Sequence, residues 1–342
     1  MEQMTSRERV FAAFQGKPYD RIPVMSPVSL ATGDCIRHSK AYLPYANVNA
    51  RKMAALAETS YSLLGFDTVM PYFGVANEVG ALGCNINWGN NDHFPKVCGG
   101  CLHDLDAFKR PQNYLGRKTI KSVISAIELL KKQVGDRAAI VGKVIGPLSM
   151  LFYLYGIQNT WHGLIIEPDK MRHVLDELQE LVVEFALAQI EAGADIITIS
   201  EDAAGELISR DCYHQIVMPI EQRICAAIKG NAFTIFHLSS RIMDRVDLFA
   251  GTGFDAFHFD SRNDLAQVKK KAGNMKVIGC VNVPITLLNG TKEDIANEVY
   301  YSIQNGADMI APDAAMALQV SNDNLLEILQ AAKKYFKTNH AD

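Results

Sequence analysis

The chain has 342 residues, 48% of them hydrophobic and 21% charged, with a formal net charge of −4. That balance belongs to a folded globular chain and excludes the disordered and fibrous classes. The mild acidity and the lack of any Lys/Arg-rich block exclude a nucleic-acid partner. No apolar run reaches the roughly 18 residues that a membrane span needs.

The opening residues, Met1-Glu2-Gln3-Met4-Thr5-Ser6-Arg7-Glu8-Arg9, are polar and charged and carry no signal-peptide core, so the cytoplasm is the expected compartment. A helix is predicted next. Thr5 caps it, Glu8 completes a capping box three residues later, and Val10, Phe11 and Phe14 supply an apolar stripe. Gly16-Lys17-Pro18 ends it.

Short apolar runs then alternate with stretches of helical length. The runs lie at 21–25, 66–71, 138–145, 195–200, 232–236, 255–259, 276–280 and 308–312. Near-continuous apolarity fits parallel strands covered on both faces. The longest helical stretch, 168–192, keeps Leu175, Leu178, Leu181, Val182 and Phe185 on one face.

A Gly-x-Asp punctuation recurs at the joints between helix and strand: Gly65-Phe66-Asp67, Gly193-Ala194-Asp195, Gly253-Phe254-Asp255 and Gly306-Ala307-Asp308. Glycine suits the left-handed position that follows a helix end. Eight β/α units without a linker predict one domain over 1–342, a single (β/α)8 TIM barrel with an N-terminal helix. The Gly/Asn-rich stretch from Tyr72 to Lys118 is expected to elaborate the loop after the second strand. A doubly wound open sheet is the competitor, but no Gly-rich phosphate loop follows an early strand.

The seven cysteines (35, 84, 98, 101, 212, 225 and 280) are odd in number, and the expectation is free thiols. Cys98-Gly99-Gly100-Cys101 has no second ligand pair at zinc spacing and is read as a loop with two free thiols.

Barrel active sites gather where strands end. The residues there are Glu201 and Asp202, His237, Asp260, Cys280 and Asp313, with Glu78 in the loop after the second strand. His237, Asp260 and Cys280 offer nitrogen, oxygen and sulfur to a zinc ion, and Asp313 is a further oxygen donor. The structural alternative is a polar barrel mouth whose carboxylates are held by Arg241, Arg262 and hydroxyls. His258, inside an apolar strand, is read as a satisfied core histidine. Tyr153, Tyr155 and Trp161 are read as core filling, and Lys269-Lys270-Lys271 as a solvated helix face.

The order of motifs resembles the uroporphyrinogen decarboxylase superfamily. The resemblance runs from Arg7-Glu8-Arg9, Phe14, Gly16 and Asp20-Arg21-Ile22-Pro23-Val24 at the start. It continues through Gly193-Ala194-Asp195, Phe236-His237, Gly253-Phe254-Asp255, Val277-Ile278-Gly279 and Leu287-Leu288-Asn289-Gly290-Thr291. It covers essentially the whole chain.

True decarboxylases carry an Arg-Gln-Ala-Gly-Arg segment where this chain reads Met25-Ser26-Pro27-Val28-Ser29-Leu30-Ala31-Thr32-Gly33. A substrate with many carboxylates needs fixed cations, so porphyrinogen decarboxylation is disfavoured. The corrinoid-dependent methyltransferase branch is closer, and Glu78 resembles a residue of its second-strand loop.

Coenzyme M methyltransferases of that branch use a His-x-Cys…Cys zinc site. Here His237 is kept, Ser239 stands at the first cysteine and Ala314 at the second. A rebuilt site with Cys280, Asp260, Glu201 or Asp313, or loss of the metal, follows from that departure.

The resemblance implies methyl transfer between a small methylated substrate and the cobalt of a corrinoid held on a separate protein, since the chain has no Asp-x-His-x-x-Gly motif. The demethylating half-reaction is the expected direction. His237 and Asp260 are the expected acid or ligand groups, with Glu201, Glu78 and Cys280 in support. Transfer from the corrinoid to a thiol or pterin stays open, as does a non-catalytic barrel that escorts the corrinoid protein.

Overall fold

The computed structural model describes residues 3–71 and 73–339, so Tyr72, at the start of the predicted elaboration, lies outside the described residues. Strands are numbered in chain order. They are β1 (Thr68–Val69), β2 (Ile86–Asn87), β3 (Lys96–Val97), β4 (Ala139–Ile145), β5 (Ile196–Ser200), β6 (Phe233–Leu238), β7 (Ala256–Phe259), β8 (Lys276–Val281) and β9 (Met309–Pro312).

Seven of them form one parallel sheet in the order β1-β4-β5-β6-β7-β8-β9, while β2 and β3 pair as a separate antiparallel hairpin. The sheet order follows the chain without reversal, so it has no topological switch point and is not doubly wound.

The run at 21–25, expected as the first strand, makes only a single parallel bridge, from Val24 to Ile310. The Met25 N–H donates to the Ile310 carbonyl at 2.8 Å, and the Ile310 N–H donates to the Pro23 carbonyl at 2.9 Å. On the other side the Asp67 N–H donates to the Val24 carbonyl at 2.7 Å. Pro23 has no N–H to extend a ladder, and the Ser26 N–H is taken by Thr68 Oγ1 at 2.9 Å. The segment therefore touches both β9 and the entry to β1 without forming a regular strand.

Local chemistry explains the frame. The first helix, Ser6–Gln15, has the reciprocal Thr5–Glu8 box, and Gly16 caps its other end in the left-handed conformation. The Pro168–Glu191 helix buries Leu175, Leu178, Leu181, Val182 and Phe185 completely. Each such side chain contributes roughly 1.5–3 kcal/mol of burial.

The Gly-x-Asp joints share one construction. Gly65, Gly193, Gly253 and Gly306 all take positive φ. Each aspartate then accepts the N–H of a residue at the start of the adjacent strand or segment. Asp67 accepts from Val24 at 2.8 Å, Asp195 from Ile140 at 3.0 Å, Asp255 from Thr234 at 2.8 Å and Asp308 from Val277 at 2.7 Å. The repeat in the sequence is thus a repeated clamp at the amino ends of neighbouring strands. That leaves the carboxyl ends free for loops.

Between β1 and β4 lie the Val75–Ala81 helix, the β2–β3 hairpin and a 3₁₀ turn, Leu105–Ala107. One expectation is corrected here: Cys101 is not a free thiol but is joined to Cys84 in a disulfide, whereas Cys98 is free and exposed. The hairpin returns the chain beside Cys84, with the Cys98 N–H donating to the Asn85 carbonyl at 2.9 Å. The Cα atoms of Cys84 and Cys101 come 5.0 Å apart, within disulfide reach. Among the described residues no helix is long and apolar enough to cross a membrane.

Candidate active site

A cavity of about 580 Å³ opens at the carboxyl ends of β4, β5 and β6. Its polar lining includes Asn47, Lys143, Asp202, His237 and Ser239, and Phe73, Phe94, Phe152, Tyr153, Ile157 and Leu207 form much of the apolar wall. Tyr153 is 44% exposed and Trp161 42%. These two were expected as core filling. They sit on short helices after β4 that face outward, and Tyr153 edges the cavity.

His237 is buried on β6. Its Nδ1 lies 2.8 Å from His258 Nδ1, and its Nε2 lies 3.1 Å from Ser239 Oγ and 4.0 Å from Asp202 Oδ1. Burial, aided by the positive charge of Lys143, pushes its pKa down to about 3, so the ring is neutral at ordinary pH. His258 is fully buried and satisfied, as read from its strand, with Nε2 at 2.9 Å from the Pro312 carbonyl.

Asp202, also expected at a strand end, lines the cavity, while Glu78, Glu201, Asp260, Cys280 and Asp313 stand away from its lining. Glu78, on the Val75–Ala81 helix, is fully buried, and its carboxyl accepts the Ile145 N–H at 3.1 Å. Burial raises its pKa to about 8 against the pull of Lys143, while burial lowers that of Lys143. Glu201 holds the start of the Pro147–Tyr155 helix by accepting the N–H groups of Leu148 at 3.1 Å and Ser149 at 2.6 Å.

Asp260 is gripped by Arg262, with contacts of 2.6 and 2.9 Å from the guanidinium and 2.8 Å from the backbone. Burial opposes its charge, but those hydrogen bonds win and its pKa lies below the usual carboxylate range. Asp313 joins two loops, accepting from Ser261 Oγ at 2.5 Å and from the Val283 N–H at 2.9 Å. Cys280 is buried, and burial followed by the charges of Asp313 and Asp260 pushes its thiol well up.

Among the described residues no three His, Cys, Asp or Glu side chains are placed to hold a metal ion. The donors expected for zinc are thus dispersed: a neutral thiol at Cys280, a guanidinium-bound Asp260, a loop-bound Asp313, and Ser239 beside His237. This set does not fit a zinc–thiolate centre.

Residue-by-residue reading passed over Lys143 and Asn47. Lys143 is the one charge in an apolar strand run, which was its available signal. Its Nζ donates to the Phe73 carbonyl at 3.3 Å and sits 5.1 Å from the centre of the Phe73 ring. Asn47 is 1% exposed, and neither Nδ2 nor Oδ1 finds a hydrogen-bond partner. Nothing in the surrounding sequence marks it.

A family model described as uroporphyrinogen decarboxylase matches residues 5–335. The chain belongs to the uroporphyrinogen decarboxylase family. Within that family it is 29% identical over 342 residues to the methylcobamide:CoM methyltransferase MtaA of Methanosarcina barkeri, covering 98% of this chain and 100% of the relative. It is 25% identical to a methylated-thiol–coenzyme M methyltransferase of Methanosarcina mazei, covering 98% and 90%. A uroporphyrinogen decarboxylase of Citrifermentans bemidjiense is 23% identical over 309 residues, covering 85% and 86%. Among solved structures, a methyltransferase from Methanosarcina mazei superposes with a TM-score of 0.93 at 27% identity, covering 98% of this chain and all of the other.

Proposed function

We propose that this family member is a corrinoid-dependent methyltransferase of the cytoplasm. It moves a methyl group between a small substrate in the β4–β6 cavity and the cobalt of a corrinoid carried by a separate protein. The end-to-end likeness to methylcobamide methyltransferases carries this reading. In the same reading the 21–25 segment occupies the eighth position and closes the sheet into a single barrel domain. Its hydrogen bonds to both β9 and the residue before β1 support that closure.

The corrinoid supplies the cobalt that takes up or gives the methyl group. This chain supplies placement: an apolar wall that excludes water and polar groups that fix the substrate, which recovers part of the entropic cost of bringing two reactants together. Among the described residues Lys143 is the one Lys or Arg in the cavity lining, and His237, Ser239 and Asp202 line the same space. The side chains of Phe94, Tyr153, Ile157 and Leu207 are each more than a third exposed at the rim. They offer an apolar collar to the corrinoid protein. Zinc enters no step, because the donor set does not fit it.

A decarboxylase reading needs a ring of cations for the substrate carboxylates. The 25–29 segment places Val28 and Ser29 at the cavity, and among the described lining residues there is a single lysine.

The test is spectroscopic. The purified chain is mixed with a corrinoid protein in its cob(I)alamin state and a panel of methylated alcohols, ethers, amines and thiols. In a second arm it is mixed with methylcobalamin and thiol or pterin acceptors. Formation of methylcobalamin in the first arm supports the demethylating direction, and its consumption in the second supports the reverse. Silence in both arms, with an intact fold, overturns the proposal.

A further inference from the structure

His258 does not line the cavity, yet it governs the histidine that does. A carbonyl oxygen only accepts, so the 2.9 Å contact between His258 Nε2 and the Pro312 carbonyl requires a proton on that nitrogen. A neutral imidazole carries one N–H, and His258 Nδ1 is then a bare lone pair. It lies 2.8 Å from His237 Nδ1. Two lone pairs at that distance repel, so the proton between them belongs to His237. The neutral His237 ring is left with a bare Nε2, 3.1 Å from Ser239 Oγ, whose hydroxyl is free to donate to it.

Neutrality of both rings follows from their place. His237 and His258 are 3% and 0% exposed, and among the described residues no carboxylate stands within hydrogen-bond distance of either ring. The charged form of a buried imidazole is costly without such a partner. The rings are also stacked, with centroids 4.7 Å apart and planes 24° from parallel.

We propose that His258 is a positioning residue that locks His237 as its Nδ1–H tautomer, so that Nε2 meets the cavity as an acceptor. The partner of that lone pair is a hydrogen-bond donor: the Ser239 hydroxyl in the free cavity, and a donor group of the substrate when one is bound. This deepens the proposed methyl transfer and rests on that reading for its consequence, but the tautomer itself does not depend on it. In general, the second hydrogen bond of an imidazole decides which nitrogen is available for chemistry.

The experiment is a two-bond ¹H–¹⁵N correlation spectrum of the full chain labelled with ¹⁵N-histidine, the rings being assigned with single variants. The expected result is protonated Nδ1 and bare Nε2 for His237, and the opposite for His258. A spectrum with His237 protonated on Nε2 overturns the proposal, whatever the activity.

Two variants carry it further. In His258→Gln the amide nitrogen can donate to the Pro312 carbonyl and the amide oxygen can accept from His237, so the tautomer is kept. In His258→Phe the ring volume stays and the acceptor is lost. His258→Phe is expected to lower kcat/KM about 10- to 100-fold, and His258→Gln to recover most of that loss. Equal losses in both folded variants contradict a positioning role. The expected tautomers without turnover on any substrate leave the tautomer lock standing and overturn the functional reading instead.

Discussion

The Glu201 carboxylate accepts the Ser149 N–H at 2.6 Å and fastens the start of the Pro147–Tyr155 helix to the end of β5. A negative group at a helix N-terminus is favourable, but this one is wholly buried, and burial raises its pKa to about 7. An unfolded glutamate titrates at about 4.3. The folded state therefore binds more protons between those values. Its contribution is fully present below the unfolded pKa and is lost as pH rises toward 7, by a total on the order of 3 kcal/mol. Denaturant unfolding at pH 5 and pH 8 measures this. The fall in stability between the two is expected to be smaller in Glu201→Gln than in the parent chain. An equal fall in both would mean that Glu201 does not titrate in this window.

Asp67 gives a second prediction. It is fully buried and accepts from Arg9 at 2.7 Å, from Arg21 at 2.7 and 2.8 Å and from the Val24 N–H at 2.8 Å. One carboxylate thus ties the first helix, the 21–25 segment and the approach to β1 together. Asp67→Asn leaves the Arg21 guanidinium without its carboxylate, while Arg9 keeps its pair with Asp20, and the expected cost is about 3 kcal/mol. Asp255 performs the same strand clamp, with the Thr234 N–H and hydroxyl as its partners. Its Asn variant is expected to cost about 1 kcal/mol. Similar unfolding midpoints for the two variants would deny Asp67 its special place.

These clamps explain what could be read from the chain. The apolar runs, the capping box and the Gly-x-Asp repeat are local patterns, and local patterns carry the sheet and its order. The repeat was visible, but its purpose was not, because each aspartate acts on a residue 21 to 55 positions away. Position at strand ends pointed to His237, which lines the cavity. It could not tell carboxylates that face the cavity from those that bind a helix end (Glu201), a guanidinium (Asp260) or two loops (Asp313). That difference lies in side-chain direction and in partners remote along the chain. Asn47 came from a segment with no periodicity at all.

Thiol chemistry supplies a third prediction. The chain has seven cysteines, and five are free. Titration of the denatured, unreduced protein with a thiol reagent is expected to find five equivalents, rising to seven after reduction. Seven before reduction would remove the Cys84–Cys101 bridge.

Lys143 and Glu78 form the fourth case. Burial lowers one pKa and raises the other, while their opposite charges pull each back. Lys143→Met strips the cavity of its cation and Glu78→Gln removes the group beneath it, so each single variant leaves a buried partner uncompensated. The two losses are expected not to add. The double variant should be more stable than the sum of the singles by about 0.5–3 kcal/mol. Strict additivity in a double-mutant cycle would show that the two groups do not sense one another. Methyl-transfer kcat/KM should fall in Lys143→Met even where the double variant restores stability, because the cation lines the cavity and the carboxyl does not.

Asn47 separates stability from function most directly. Both polar atoms of its side chain are buried at the cavity wall without a partner. A buried unsatisfied group costs about 1–3 kcal/mol, and such a cost is commonly retained where a ligand completes the hydrogen bonds. Asn47→Leu keeps the approximate volume and removes both orphaned groups. The free protein is therefore expected to melt at an equal or higher temperature than the parent chain. With whichever methyl donor or acceptor turns over the parent chain, KM should rise about tenfold or more, the worth of a hydrogen bond left unpaired on the substrate. A variant that melts lower and binds substrate unchanged would instead make Asn47 a structural residue served by water.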